Sequence, residues 1–169
     1  MRTEFTEGDG VGGRAALALR LADAARSVIL PHFRTPRLDV ETKSGAAFDP
    51  VTVADRAAEA AMRQILEAEL PQDGILGEEL GSKPSQSGYT WVLDPIDGTR
   101  GFISGTPTWG VLVALSREDG PVLGIIDQPY IRERFVGGPD GAYVERDGQR
   151  QPIGVAPRGA LSAATVFTT

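Results

Sequence analysis

Trp91-Val92-Leu93-Asp94-Pro95-Ile96-Asp97-Gly98-Thr99 is an aromatic and β-branched run that ends in two carboxylates. The apolar part, from Tyr89 to Leu93, predicts a buried strand that stops at Asp94-Pro95, because proline has no N–H for the ladder. Two carboxylates at a strand end, separated by a stiff turn, can converge on one hard cation. Mg²⁺ takes carboxylate and carbonyl oxygens and keeps several waters. The Ile96 carbonyl, beside Pro95, can face the same ion. Gly98 permits close backbone approach, and the amides of Gly98 and Thr99 can open a helix and hold a phosphate. Asp-Pro and Asp-Gly are also ordinary turn dipeptides. The full D-P-I-D-G-T after a buried strand is the specific signal.

Upstream, Ile75-Leu76 predicts a short strand that runs into Gly77-Glu78-Glu79. A bare Glu-Glu is usually a solvated loop. Brought next to Asp94, however, Glu78 completes an acidic cluster with Asp97 that repels itself unless cations are present. Further upstream, Asp49-Pro50-Val51-Thr52-Val53-Ala54-Asp55 precedes a helix. Thr52 fits the N-cap, and Asp55 fits the first turn, where the helix dipole favours an anion. Asp55 can equally stand near a nucleophilic water, and the two roles are compatible. Lys43 lies in an irregular stretch and reads either as a surface lysine or as a phosphate contact.

Ala18, Leu21, Ala22, Ala25, Val28 and Ile29 repeat at helical spacing and predict a first helix over about 14–29, stopped near Pro31. Ala58, Ala61, Met62, Ile65, Leu66 and Leu70 define the second, ended by Pro71. Residues 34–50 read as irregular. Beyond the D-P-I-D-G-T motif, strands are expected at 110–115 and 121–126 around Glu118-Asp119-Gly120, at 134–136, at 142–144 before the tight turn Asp147-Gly148, and at 164–169. Two helices followed by many strands is an α+β order, with helices packed on a largely antiparallel sheet.

Asp55 in V-T-x-A-D, Glu78 in G-E-E and Asp94 to Thr99 in D-P-I-D-G-T together resemble the inositol monophosphatase superfamily, in order and in spacing. The resemblance covers the chain from about Arg14 onward. It implies the N-terminal domain of the layered α/β sugar-phosphatase fold, with residues 1–13 a flexible tail and residues 14–169 a metal-binding phosphatase domain. By the same resemblance Glu78, Asp94 and the Ile96 carbonyl bind one Mg²⁺, and Asp94 and Asp97 a second. Asp55 and the Thr99 hydroxyl orient or deprotonate the attacking water, and the Gly98 and Thr99 amides hold the substrate phosphate. Thr99 to Gly110, Ile126-Asp127-Gln128-Pro129-Tyr130 and Glu133-Arg134-Phe135 look like the histidinol-phosphatase branch. That implies a Mg²⁺-dependent phosphomonoesterase acting on L-histidinol phosphate in histidine biosynthesis, the alternative being an inositol- or other sugar-phosphate phosphatase. The family's C-terminal W-D-x-A-A motif has no counterpart, since Trp91 and Trp109 are followed by Val92 and Gly110. The expectation is a chain that stops before a C-terminal domain, with a cleft open on one side and little activity alone. A non-catalytic metal-binding fragment is the reading from a different class.

The bulk properties narrow the partners. A formal net charge of −6 argues against nucleic acid and anionic membranes. No apolar run approaches the roughly 18 residues of a membrane span. Cysteine is absent, which removes disulfides and thiol chemistry. The polar, Gly-rich start lacks a signal-type apolar segment, so a cytoplasmic location is expected. The single histidine, His32, follows Pro31 at a helix end and reads as structural, leaving no Ser–His pair for acyl transfer. The expected partner is a small phosphate ester, with a homodimer possible.

Overall fold

Apolar residues at helical spacing build two long helices, α1 (Val11–Ile29) and α2 (Val53–Glu69). The structure, a computed structural model, describes residues 11–35, 40–42, 50–155 and 165. Of the tail expected over residues 1–13, residues 1–10 lie outside the described residues, as do Lys43, Asp49 and all but Thr165 of the strand expected at 164–169; residues 11–13 belong to α1, and Thr165 is in no strand. Helix α1 starts by Val11, three residues before the periodicity predicts, because Val11 is itself buried. A 3-10 turn, Leu30–His32, ends it at Pro31. The small residues Ala15, Ala18, Ala22 and Ala25 form the buried stripe of α1 and let it pack closely on α2 and the sheet. Among the described residues no helix is long and apolar enough to cross a membrane.

Strands β1 (Val40–Thr42) and β2 (Pro50–Thr52) pair antiparallel in a small separate ladder; β1 lies inside the stretch 34–50 that reads as irregular, and β2 begins at its end. The main sheet comprises β3 (Gly74–Gly77), β4 (Gly81–Lys83), β5 (Thr90–Asp97), β6 (Gly110–Arg117), β7 (Gly120–Gln128), β8 (Glu133–Gly138), β9 (Gly141–Arg146) and β10 (Gln149–Ile153). Its spatial order is β10-β9-β8-β7-β6-β5-β3-β4. All neighbours are antiparallel except β3 and β5, which run parallel. The α+β expectation therefore holds, with this one pair set apart. Three elements lack the apolar pattern that would announce them: β4 and β10 are polar edge strands, and α3 (Thr99–Ser104) is short.

Alternation sets the core. Trp91 and Leu93 on β5, Val111, Val113 and Leu115 on β6, and Leu123 and Ile125 on β7 face the helices and are buried. Val92, Asp94, Leu112, Ala114 and Ile126 take the opposite face, where Ile126 is half exposed.

Two ion-pair clamps fix α1. The Arg14 guanidinium donates to both oxygens of buried Asp73, at 2.9 and 2.8 Å. Trp91 Nε1 and the Ser87 hydroxyl donate to the same carboxylate, at 3.0 and 2.6 Å. Arg26 and Arg134 both grip Asp127, which has no exposed surface, at 2.6 and 2.9 Å, and Arg134 reaches on to Asp23 at 2.6 Å. Asp127 thus joins α1 to β7 and β8.

Burial works against the Asp73 charge, but the bonds from Arg14, Ser87 and Trp91 outweigh it and hold the carboxyl below its ordinary pKa. A depressed folded pKa contributes stability that is complete above the unfolded value of about 3.9 and is lost as pH falls through the folded one. Asp73→Asn is expected to cost about 3 kcal/mol at neutral pH by stranding Arg14. Its urea midpoint should then vary less between pH 5 and pH 2 than that of the parent. Equal acid sensitivity in the two proteins would remove Asp73 from the account.

Candidate active site

The site is built at the C-terminal ends of β3 and β5. Their parallel register sets Gly77 opposite Leu93, and the Glu78 amide donates to the Leu93 carbonyl at 3.2 Å. The residue after each paired position is therefore an acid, Glu78 on one strand and Asp94 on the other. Strand β5 does not stop at Asp94-Pro95 as the sequence leads one to expect. It continues to Asp97 through a register shift, with Asp94 opposite Leu112 and Asp97 opposite Gly110. A bulge absorbs the residue that cannot donate, so the proline bends the strand without ending it. Pro95 and Ile96 are buried, while Asp97 is exposed.

Gly98 follows in the left-handed region, with φ 84°, and caps the short helix α3. A Cβ there would stand 2.6 Å from the Thr108 carbonyl oxygen, so both conformation and space call for glycine. Helix α3 is fixed from behind by Phe102, whose ring meets Trp109 edge-on at 5.0 Å and Phe33 at 5.3 Å. Arg34 donates to the Gly105 carbonyl at its far end, at 2.9 Å.

Helix α2 brings the fourth acid. Thr52 caps it, and its amide and hydroxyl both donate to Asp55 Oδ2, at 2.8 and 2.5 Å. The capping role read from the sequence is thus formed. Asp55 is also 1% exposed, which a surface helix start does not require. Burial raises its pKa, the Thr52 bonds oppose that, and the charge of Glu78 adds to the rise.

Asp94 is the electrostatic centre of the group. Burial pushes its carboxyl up to about 8, reinforced by a hydrogen bond to Glu78 and by the charges of Glu78, Asp97 and Asp55. Its Oδ1 is buried with no hydrogen-bond partner among the described residues. Like charges this close resist simultaneous ionisation, so the arrangement favours either a proton or a cation. Among the described residues no three such groups encircle a single point, so the acids face one another without forming a finished cage.

The structure brings Glu78 and Asp94 together and sets Asp55 and Asp97 within their field. It does not bond Asp55 to Thr99. The Thr99 hydroxyl donates instead to the Ile96 carbonyl, at 3.0 Å. Sequence reasoning passed over Glu59, a fully buried carboxylate one turn beyond Asp55. An acid between Ala58 and Met62 on an apolar face was the signal that could have found it.

The inositol monophosphatase family model matches residues 14–169. The "Bifunctional phosphatase IMPL2, chloroplastic" of Arabidopsis thaliana is 42% identical over 157 residues, 92% of this chain and 44% of that protein. A histidinol-phosphatase of Chlorobaculum parvum is 40% identical, over 90% of this chain and 57% of that one. Among solved structures, an inositol monophosphatase from Zymomonas mobilis superposes with a TM-score of 0.66 at 44% identity, covering 86% of this chain and 54% of that one. The chain spans about half the length of the curated relatives it matches. A family match over nearly the whole chain and a shared fold agree with the acidic strand ends described above, and the chain belongs to the inositol monophosphatase family.

Proposed function

We propose that the protein is a Mg²⁺-dependent phosphomonoesterase whose substrate is L-histidinol phosphate, in histidine biosynthesis. The observation that carries the metal reading is Asp94, a half-buried carboxyl whose Oδ1 is buried without a hydrogen-bond partner among the described residues, set against Glu78 and in the field of two further acids. The donor set suits a hard cation: carboxylates and one backbone carbonyl, with no thiol or imidazole among them. Glu78, Asp94 and the Ile96 carbonyl would hold one ion, and Asp94 with Asp97 a second. Bound Mg²⁺ supplies charge neutralisation for the phosphate and a lowered pKa for attacking water.

The chain's own residues supply the rest. Asp55, held through Oδ2 by Thr52 and lifted in pKa by burial, would take a proton from water in this reading. The Thr99 hydroxyl bonds the Ile96 carbonyl and so ties the start of α3 to the bulge of β5. The Gly98 and Thr99 amides at that start are the phosphate donors of the proposal. The relatives named histidinol-phosphatase, at 40% identity, support the substrate. A second reading, an inositol- or sugar-phosphate phosphatase, is favoured by the solved inositol monophosphatase at 44% identity.

Three measurements test this reading. Mg²⁺ at about 100 times its dissociation constant is expected to stabilise the protein by about 2.7 kcal/mol in thermal unfolding. Asp94→Asn should abolish that gain, and a gain retained in the variant would remove Asp94 from the metal site. In the whole protein, Asp55→Asn should lower kcat by about 10²- to 10⁴-fold with little change in KM. Turnover that survives the change would leave Asp55 a helix cap only. Phosphate release from L-histidinol phosphate, inositol monophosphate and a hexose phosphate should then rank the first highest in kcat/KM. A higher rank for either of the others would decide for the second reading.

A further inference from the structure

Glu59 has no exposed surface, and its carboxylate is spent on backbone. Its Oε2 accepts from the Glu79 amide at 2.7 Å, and its Oε1 from the Leu80 amide at 3.2 Å. Those two residues follow Glu78 in the tight turn between β3 and β4, whose flanks Gly77 and Gly81 are paired. The turn is thereby fixed from both sides. On one side the Glu78 amide bonds the Leu93 carbonyl, one residue before Asp94. On the other, the next two amides bond Glu59. Arg63, one turn further along α2, donates to Glu59 Oε1 at 2.7 Å and to the Gly81 carbonyl. Its guanidinium bridges the carboxylate to the far side of the turn and balances the buried charge.

The space has been cleared for this contact. A Cβ on Gly77 would lie 1.8 Å from Glu59 Oε1 and 2.6 Å from Arg63 Nη2. Gly77 is not in a left-handed conformation, so its glycine serves close approach and not a turn angle. Asp55 and Glu59 stand four residues apart on one face of α2, so a single helix carries the proposed base and the group that grips the turn of the proposed metal ligand.

We propose that Glu59 is a positioning residue: it holds the 78–80 turn so that the Glu78 carboxylate faces Asp94, and thereby sets the affinity of the site for Mg²⁺. The inference rests on the reading of Glu78 and Asp94 as metal ligands. Glu59 is not one of the proposed ligands; it acts through the backbone of the turn that carries Glu78. Partners behind a ligand commonly change metal affinity by about 10- to 100-fold when lost.

Amide hydrogen exchange and Mg²⁺ titration on the same samples test it. In the unmodified chain the Glu79 and Leu80 amides are expected to exchange as slowly as the interior amides of α2; fast exchange there overturns the proposal without any variant. In Glu59→Gln those two amides should exchange at least about tenfold faster, α2 should keep its protection, and the Mg²⁺ dissociation constant should rise by about 10- to 100-fold. Gly77→Ala, which drives a methyl into the Glu59 carboxylate, should give the same pair of changes. Glu69→Gln, which removes an exposed pairing with Arg20, should give neither. A Mg²⁺ response that Glu59→Gln leaves unchanged overturns this inference alone. No Mg²⁺ response in the unmodified chain overturns the metal reading and this inference with it.

Discussion

β3 and β5 run parallel, with Gly77 opposite Leu93, and that register places two acids side by side at one end of an otherwise antiparallel sheet. A one-residue slip would turn every side chain of the strand to the other face, burying Asp94 among the helices and exposing Leu93. The buried pattern of Trp91 and Leu93 therefore holds the register and so the site. Strand β4 makes the geometry possible. It turns back along the outer side of β3, leaving the inner side for β5 to enter in the same direction.

Among the described residues the buried acids are Asp55, held by the Thr52 cap, and Asp73, Asp127 and Glu59. Asp73, Asp127 and Glu59 each have an arginine, and Asp73 and Glu59 have further donors besides. These are the partnered charges that a folded interior tolerates, and each ties a helix to the sheet or to a turn. Half-buried Asp94 has no such partner among the described residues; the charges that act on it are those of Glu78, Asp97 and Asp55. At Asp73, Asp127 and Glu59 a guanidinium meets the charge, and at Asp94 the described residues supply none. That contrast supports the proposal of a cation at this cluster.

Local pattern was a reliable guide wherever one residue's neighbours in sequence are also its neighbours in space. The Thr52–Asp55 capping box, the Asp147-Gly148 turn with both residues at positive φ, and the apolar stripes of α1 and α2 were all legible. Strands β4 and β10 were not, because polar edge strands have no buried face to alternate with. Pro95 misled for a related reason. A proline ends a ladder only when its neighbour on that side requires the missing N–H, and the bulge opposite β6 removes the requirement.

The sequence by itself determined the α+β order, the family and the identity of the acids at the strand ends, because these are written in contiguous motifs. Only the tertiary structure decided which acids meet. Glu78 and Asp94 are joined by the parallel register of β3 and β5, and Asp55 comes near them from a helix that packs on β5. It also decided that Glu59 and Asp127 are structural charges, since a carboxylate's role depends on whether its unpaired neighbours lie on the same element or come from another. Sequence spacing fixes distance only along one element; burial and the pairing of charge are set by the packing of several.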